Sequence, residues 1–489
     1  MISARPRRGL VLAALSAALC AAGPNFARAD AGEERLLREQ LTEREDENRT
    51  REPFTRTPFG HLLTLTAQYV VGVEGTRPLR EHDAPDGESR ALLSSELETE
   101  LFFSTGERFS FLAQVVGVWD RDLLASTRAG ISDAFVERGE LWLLSEGVAG
   151  LPLQLEIGRL DFEDDRLWWW DTDLDAARAT VEVGSLEVAL AAAREVAAER
   201  SGAGGIAPEH EGVLRLLAEI SWDWAPEHAL QLFALHHDDR SRTESVGTRV
   251  LRAREDDSDA RLTWLGARAS GALDLDGHAV GYWLDAGWVH GREQRLDLAA
   301  VDARVSVVDE RSTRRVDGWA IDLGATWRLA APLDPRLTAG FAIGSGDRDP
   351  DDERDRAFRQ TGLHGNAPGY GGVQRFSGYG ILLDPELSNL TVATLGAGIS
   401  LLDNSSIDVA YHGYWQVHAS DELRDARLEA SLTGASRRLG HGIDLVLGIE
   451  EWDALELEVS ASVFRAGRAF AVDAGDWAYG GFVELRFAF

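Results

Sequence analysis

The chain has 489 residues, 44% of them hydrophobic, and a net charge of −32, with 82 Asp and Glu against 50 basic residues that are all arginine. That acidic balance argues against a nucleic-acid partner, and no run of ~18 apolar residues marks a transmembrane helix. Cys20 is the only cysteine and falls in an N-terminal targeting segment, so the rest of the chain has no disulfide, thiolate metal site or cysteine nucleophile.

The targeting segment comes first. Arg5, Arg7 and Arg8 precede the uncharged run 9–22, and Ala27-Arg28-Ala29 has the small-x-small form of a cleavage site, which predicts a signal peptide over 1–29. Leu19 stands where a lipoprotein cysteine needs a small residue before it. Residues 30–58 are expected as a periplasmic N-terminal arm: 33–52 is dense in charge, with Leu36, Leu37 and Leu41 its apolar residues.

From 59 to 489 the chain reads as one β-barrel. Alternating segments predict strands at 61–73, 91–104, 108–119, 134–144, 151–160, 174–184, 186–195, 212–224, 228–238, 258–270, 278–290, 317–330, 336–345, 390–402, 406–418, 439–451, 454–466 and 478–489. Trp319, Ile321, Leu323, Ala325, Trp327 and Leu329 share one face, with Ala320, Asp322, Gly324, Thr326 and Arg328 on the other. In the last segment Tyr479, Gly481, Val483, Leu485, Phe487 and Phe489 form an apolar face that would aggregate in water but suits lipid. Recurring carboxylates on the opposite faces require water, as in a wet lumen.

Short connections such as Gly184-Ser185 alternate with long ones at 74–90, 196–211, 239–257, 291–316, 345–389 and 419–438. Short-then-long is the sidedness of an outer-membrane barrel with short periplasmic turns and long extracellular loops. Both barrel ends then lie in the periplasm, so the strand number is even; 426–434 is read as loop, and the count is eighteen. A barrel of that size encloses an aqueous channel. Trp142, Trp222, Trp224, Trp264, Trp288, Trp319, Trp327, Trp415, Trp452 and Trp477 lie in or near strand ends, as interfacial girdles require.

Two loops carry the candidate pore-lining residues. In 158–178, Trp168, Trp169 and Trp170 are consecutive in a charged stretch with Asp165 and Asp171. They cannot all face lipid; they either stack on sugar rings in the lumen or lock the loop to the wall. Arg178 shares parity with Thr180 and Glu182 and is expected in the lumen. Arg159 shares parity with Leu155 and Ile157, so it sits at the rim unless a bulge turns it inward. In the longest loop, 358–366 holds Arg359, whose planar fork suits carboxylates. Asp347-x-Asp349-x-Asp351 opens like a calcium loop, but Asp352 and Phe358 replace its essential Gly and Glu. His236 and His237 are adjacent, so on a strand they face opposite ways. No hydrolase elbow, zincin or P-loop motif is present, so neither metal, cofactor nor enzymatic activity is expected.

The chain order, Gly-Arg…Trp-Trp-Asp…Leu-Asp-Ala-x-Arg at 158–178, Phe-Arg-Gln-Thr-Gly-Leu at 358–363, Pro-Glu-Leu-Ser-Asn-Leu at 385–390 and Leu-Gly-His-x-Ile-Asp-Leu at 439–445 resemble the alginate-export outer-membrane porins. The resemblance implies an eighteen-stranded barrel in the bacterial outer membrane, with an arginine-lined constriction passing an anionic exopolysaccharide. Arg138, Arg159, Arg178 and Arg359 match or lie near its motifs. The implied partners are the polysaccharide and outer-membrane lipid and lipopolysaccharide; a periplasmic export partner is left open. The chain departs from this pattern in charge. Residues 345–389 hold eight acids against five arginines, and Glu140, Glu182, Asp322, Glu456 and Glu484 are expected to face inward. A diffusion porin for small solutes is the alternative.

Overall fold

The computed structural model describes residues 54–489 apart from 80–88, 107, 125–131, 240, 242–243, 350–351, 371, 429–430, 453 and 471–472. The expected signal peptide and residues 30–53 of the expected arm lie outside the described residues. Eighteen strands form the wall: β1 (Leu62–Arg77), β2 (Arg90–Ser104), β3 (Phe109–Asp122), β4 (Ser132–Ser145), β5 (Leu153–Glu163), β6 (Asp171–Val183), β7 (Leu186–Ala193), β8 (Leu214–Ala225), β9 (His228–Asp238), β10 (Ser258–Leu275), β11 (His278–Ala300), β12 (Val305–Arg328), β13 (Arg336–Gly344), β14 (Leu390–Leu402), β15 (Ser405–Gln416), β16 (Arg438–Trp452), β17 (Leu455–Ala466) and β18 (Trp477–Ala488). Each pairs antiparallel with its chain neighbour, and β18 closes on β1 through Gln68↔Ala488 to Arg77↔Tyr479. Closure leaves no edge strand and pairs the backbone internally, which a wall in lipid requires. β18 leaves the first residues of β1 without a partner, and Phe54–Arg56 fills that place by pairing with Leu63–Leu65.

All eighteen predicted strands are present, in the predicted order. The largest difference is at 291–316, expected as loop. There β11 and β12 run on together as far as Ala300↔Ser306 and form a long hairpin. Above the membrane a strand needs no apolar face, so the alternation that marks lipid-spanning segments is missing from this one.

The outward face is an apolar band that includes Leu65, Leu97, Leu141, Ile157, Leu190, Leu232, Leu265, Leu284, Leu323, Leu395, Leu445 and Val483, all exposed. Aromatic rims flank it. Trp288, Trp319, Trp415 and Trp477 are exposed at the long-loop end, and Trp222, Trp224, Trp327 and Trp452 at the short-turn end. Trp142 and Trp264 were expected in these girdles but are buried on the inner face. Parity decides this: each alternates with an exposed leucine, Leu141 and Leu143 beside Trp142 and Leu265 beside Trp264.

Candidate functional site

Two loops fold inward and narrow the barrel. Loop 164–170 joins β5 to β6. Loop 345–389 joins β13 to β14 and runs deep into the barrel: Val373 N–H donates to Ser406 Oγ (2.8 Å) and Gln374 Nε2 to Glu450 Oε1 (2.6 Å), both near the short-turn end. A backbone inside a barrel must bond to something, and these loops bond to each other. The amides of Gly365 and Asn366 both donate to Leu167 O (2.8 Å each), and Asp171 N–H donates to Leu363 O (2.5 Å).

The tryptophan loop is built around Asp164. Its carboxylate accepts the amides of Arg166 (3.1 Å), Trp169 (2.7 Å) and Trp170 (3.0 Å). Three donated amides and one guanidinium hold this buried carboxyl below the usual range, although burial by itself would raise it. The guanidinium is Arg268, which bridges Asp164 Oδ1 and Asp285 Oδ1 at 2.6 Å each. Arg166 continues the chain to Asp285 (3.0 Å) and Asp322 (3.1 Å), and its guanidinium lies 4.3 Å from the Trp283 ring. Tyr379 Oη donates to Asp322 Oδ2 (2.9 Å), and Trp168 Nε1 donates to Tyr379 Oη (2.8 Å). One network thus ties both loops to the lumen faces of β10, β11 and β12.

The three tryptophans pack on the wall, with Trp168, Trp169 and Trp170 only 3%, 1% and 3% exposed. Trp169 stacks on Phe233 (5.0 Å) and Trp168 on Phe358 (6.0 Å). Glycines make the room. A Cβ on Gly266 would lie 1.8 Å from the Trp169 ring, and one on Gly287 would meet Trp168 at 3.0 Å. Gly266 and Gly287 are opposite one another across β10 and β11. Of the two sequence readings, these rings take the wall-packing one.

Arg359 is buried too. Its Nη1 lies 2.7 Å from Glu293 Oε1 and its Nη2 2.6 Å from Asp355 Oδ2, while Trp264 Nε1 donates to Arg359 O (2.7 Å). Burial would lower the Arg359 pKa, but Glu293 and Asp355 keep it above the usual range. Arg138 and Arg159 meet elsewhere, at the outer rim. Arg138 grips Asp175 with both terminal nitrogens (2.9 and 3.1 Å) and donates to Ala197 O and Ala198 O. Arg159 lies 3.6 Å from Asp173 and 3.1 Å from Glu199. Arg159 keeps the outward parity of Ile157, opposite exposed Leu141 with no shift of register, and is buried there beside Glu199; at Gly158 a φ of 142° and the close approach to Leu141 O leave no room for a side chain. These two arginines clasp the 194–201 segment to β4, where Arg138 N–H donates to Glu199 O and Ser201 N–H to Val136 O. Arg178 stands apart on the lumen face. It donates to Glu156 (2.6 Å) and Asp161 O (2.9 Å), with its side chain 26% exposed. Asp165 is exposed beside the tryptophan loop, and the Asp171 carboxylate sits against Gly365.

Sequence reasoning missed Arg268 and Asp285, although a signal for both was present. Asp276 (φ 56°) and Gly277 (φ 82°) form a two-residue turn with both central residues left-handed, which fixes the hairpin register. Counting back along both strands pairs Arg268 with Asp285, and the next hairpin sets Asp285 against Asp322.

Burial raises the Glu386 carboxyl to about 7, against the downward pull of Arg424, the donated Gln360 amide and Arg359; Asp425 adds to the rise. A carboxyl raised in this way supports the docked loop while protonated, and that support is lost as pH climbs from the ordinary carboxylate range through about 7. Proteolysis within 356–387 is therefore expected to run a few-fold faster at pH 8 than at pH 5. Glu386→Gln should flatten that profile; an unchanged profile in the variant would remove Glu386 as the cause.

The alginate export family model matches residues 105–479, which include both inner loops. The alginate production protein AlgE of Pseudomonas aeruginosa is 27% identical over 322 residues, 64% of each chain, so the match spans just under two thirds of that relative's length. AlgE of Pseudomonas syringae pv. tomato is 23% identical over 405 residues, 74% of this chain and 78% of the relative. Among solved structures, Acinetobacter baumannii OccAB1 superposes with a TM-score of 0.54 at 11% identity, covering 91% of this chain and 99% of that one. Pseudomonas aeruginosa OccK5 (OpdH) gives 0.53 at 9% identity, covering 87% and 97%. At such identities these two structures speak to the fold alone.

Proposed function

The chain belongs to the alginate-export family and is a barrel of the bacterial outer membrane, and on that premise we propose that it is a passive channel exporting an anionic, alginate-like exopolysaccharide past inward arginines. The observation that carries this reading is the family match over 105–479, which takes in every element of the constriction. Relatives named alginate production protein support it.

Arg178 is a partly exposed arginine on the lumen face. A guanidinium already holding Glu156 has much of its charge neutralised, so a passing uronate would bind it weakly and by exchange. A conducting site has to be attractive enough to enter and weak enough to leave. The buried arginines, Arg268 and Arg359, would serve the channel by fixing the loops that shape it, and Arg138 and Arg159 by clasping its rim.

In planar bilayers, polyuronate oligomers are expected to block the single-channel current while neutral oligosaccharides of equal length do not. Arg178→Gln should weaken that block about tenfold, the worth of one charge-assisted contact at ~1.5 kcal/mol. A wild-type channel indifferent to polyuronate would sink the reading. The depth of loop 345–389 inside the barrel favours the second reading, a diffusion porin for small solutes, which the same indifference would leave standing.

A further inference from the structure

Four arginines stand abreast on the outside of the barrel. Arg261 pairs with Arg292 across β10 and β11, and Arg292 pairs with Arg315 across β11 and β12. Arg315 in turn pairs with Arg354 of the two-residue strand Arg354–Asp355, which runs parallel to β12. All four are exposed. Directly paired residues on neighbouring strands face the same side, with Cβ atoms ~5 Å apart, so the row is ~15 Å long.

Its height on the barrel is set by parity. Arg292 follows Trp288 by four residues, and Arg315 precedes Trp319 by four, so each arginine shares the outward face of its tryptophan. Both rings are exposed at the long-loop rim, and exposed Leu265, Leu284 and Leu323 lie below them. Four residues of strand cover ~13 Å, or ~10 Å along the membrane normal at the usual tilt. Tryptophan rims mark the boundary of the hydrocarbon, which puts the arginines at the level of lipid headgroups.

Like charges set side by side cost stability unless something neutralises them. Arg261 has Asp238 at 2.9 Å. Among the described residues, Arg292, Arg315 and Arg354 have no carboxylate within 4.0 Å. Asp317, two residues from Arg315 on the same face, accepts from Trp288 Nε1 (2.8 Å), and His290 is stacked on the Trp288 ring. Four inner-wall arginines differ: Arg178, Arg268, Arg336 and Arg486 each hold a carboxylate.

We propose that this row binds the phosphorylated headgroup of an outer-leaflet glycolipid of the lipid A class. Guanidinium forks bind phosphate bidentately. A diphosphorylated sugar can span neighbouring arginines while its acyl chains lie on the leucine band beneath, an anchor that free phosphate lacks. The site depends on the barrel's place in the membrane and is separate from whatever passes through the lumen.

The full-length barrel, refolded in detergent with bisphosphorylated or dephosphorylated lipid A, tests this by native mass spectrometry. Wild type is expected to retain the bisphosphorylated lipid at least tenfold better. Arg292→Gln/Arg315→Gln should lose that preference while keeping its heat-modifiable gel mobility and its conductance; Arg261→Gln/Arg292→Gln serves if the first pair does not fold. Equal retention of both lipids by wild type, or retention unchanged in a folded variant, overturns the proposal. Displacement of the lipid by equimolar inorganic phosphate overturns it as well, by making the site one for free phosphate.

Discussion

Arg268→Ala is expected to release the tryptophan loop from the barrel wall. Arg268 is fully buried between Asp164 and Asp285, 2.6 Å from each, and Asp322 is the next acid in the chain. Without it, Asp164 loses its guanidinium partner, and Asp285 and Asp322 share that of Arg166. Removing one partner of a buried ion pair costs about 3–5 kcal/mol, because the remaining charge stays desolvated. Here the structure has a cheaper escape than global unfolding: the loop can swing Asp164 into water. That movement breaks the caps on the amides of Arg166, Trp169 and Trp170 and exposes two stacked rings. The measurable outcomes are a red shift of tryptophan emission, new protease cleavage within 164–170 and a larger, noisier conductance. Arg268→Lys should fall between the two, since a single ammonium cannot reproduce a planar fork across two carboxylates. An Arg268→Ala channel with wild-type emission and conductance would mean that the ion network does not hold the loop.

Gly266→Leu is expected to act on the same loop from the wall side. The first atom of the new side chain would fall 1.8 Å from one Trp169 ring carbon and 2.0 Å from another, with Ala286 O at 2.8 Å behind it. Phe233, paired with Gly266 on the neighbouring strand, is stacked on one face of the ring and limits its movement. Overpacking of this kind costs about 1–3 kcal/mol, and the ring leaves its seat. Trp169→Ala alone empties the same space at about 3–5 kcal/mol. The two changes together should cost less than their sum, since leucine then occupies the vacated volume. A favourable coupling of about 1–3 kcal/mol is expected in a cycle read from the temperature of heat-modifiable unfolding. Strict additivity would show that the glycine does not form the ring's seat.

The eighteen strands were legible because lipid and water on opposite faces impose a period of two on the residues themselves. β18, with its apolar face from Tyr479 to Phe489, carries that signal in full. Where neither face meets lipid the signal disappears, and the 291–316 hairpin reads as loop. Its arginines at 292 and 315 become a row only once the pairing of β11 with β12 is known. Trp142 and Trp264 show a second limit. Composition placed them near strand ends, while their parity with the flanking leucines sends them inward.

The candidate site was half legible. The run Trp168–Trp169–Trp170 and Arg359 stood out as residues that neither lipid nor loop solvent explains, and both lie in the two loops that narrow the lumen. What each does there was beyond a one-dimensional reading. Asp164 meets Arg268, Arg359 meets Glu293 and Trp168 meets Tyr379 across long stretches of chain. By itself the sequence determined the membrane barrel, its strand order and even count, and its sidedness, because alternation and turn length are local consequences of the solvent on each side of a strand. The tertiary structure decided which arginines are spent on carboxylates and which are left outward. A loop's path through a lumen is set by contacts between distant residues, and a charge's role depends on the neighbours that path brings to it.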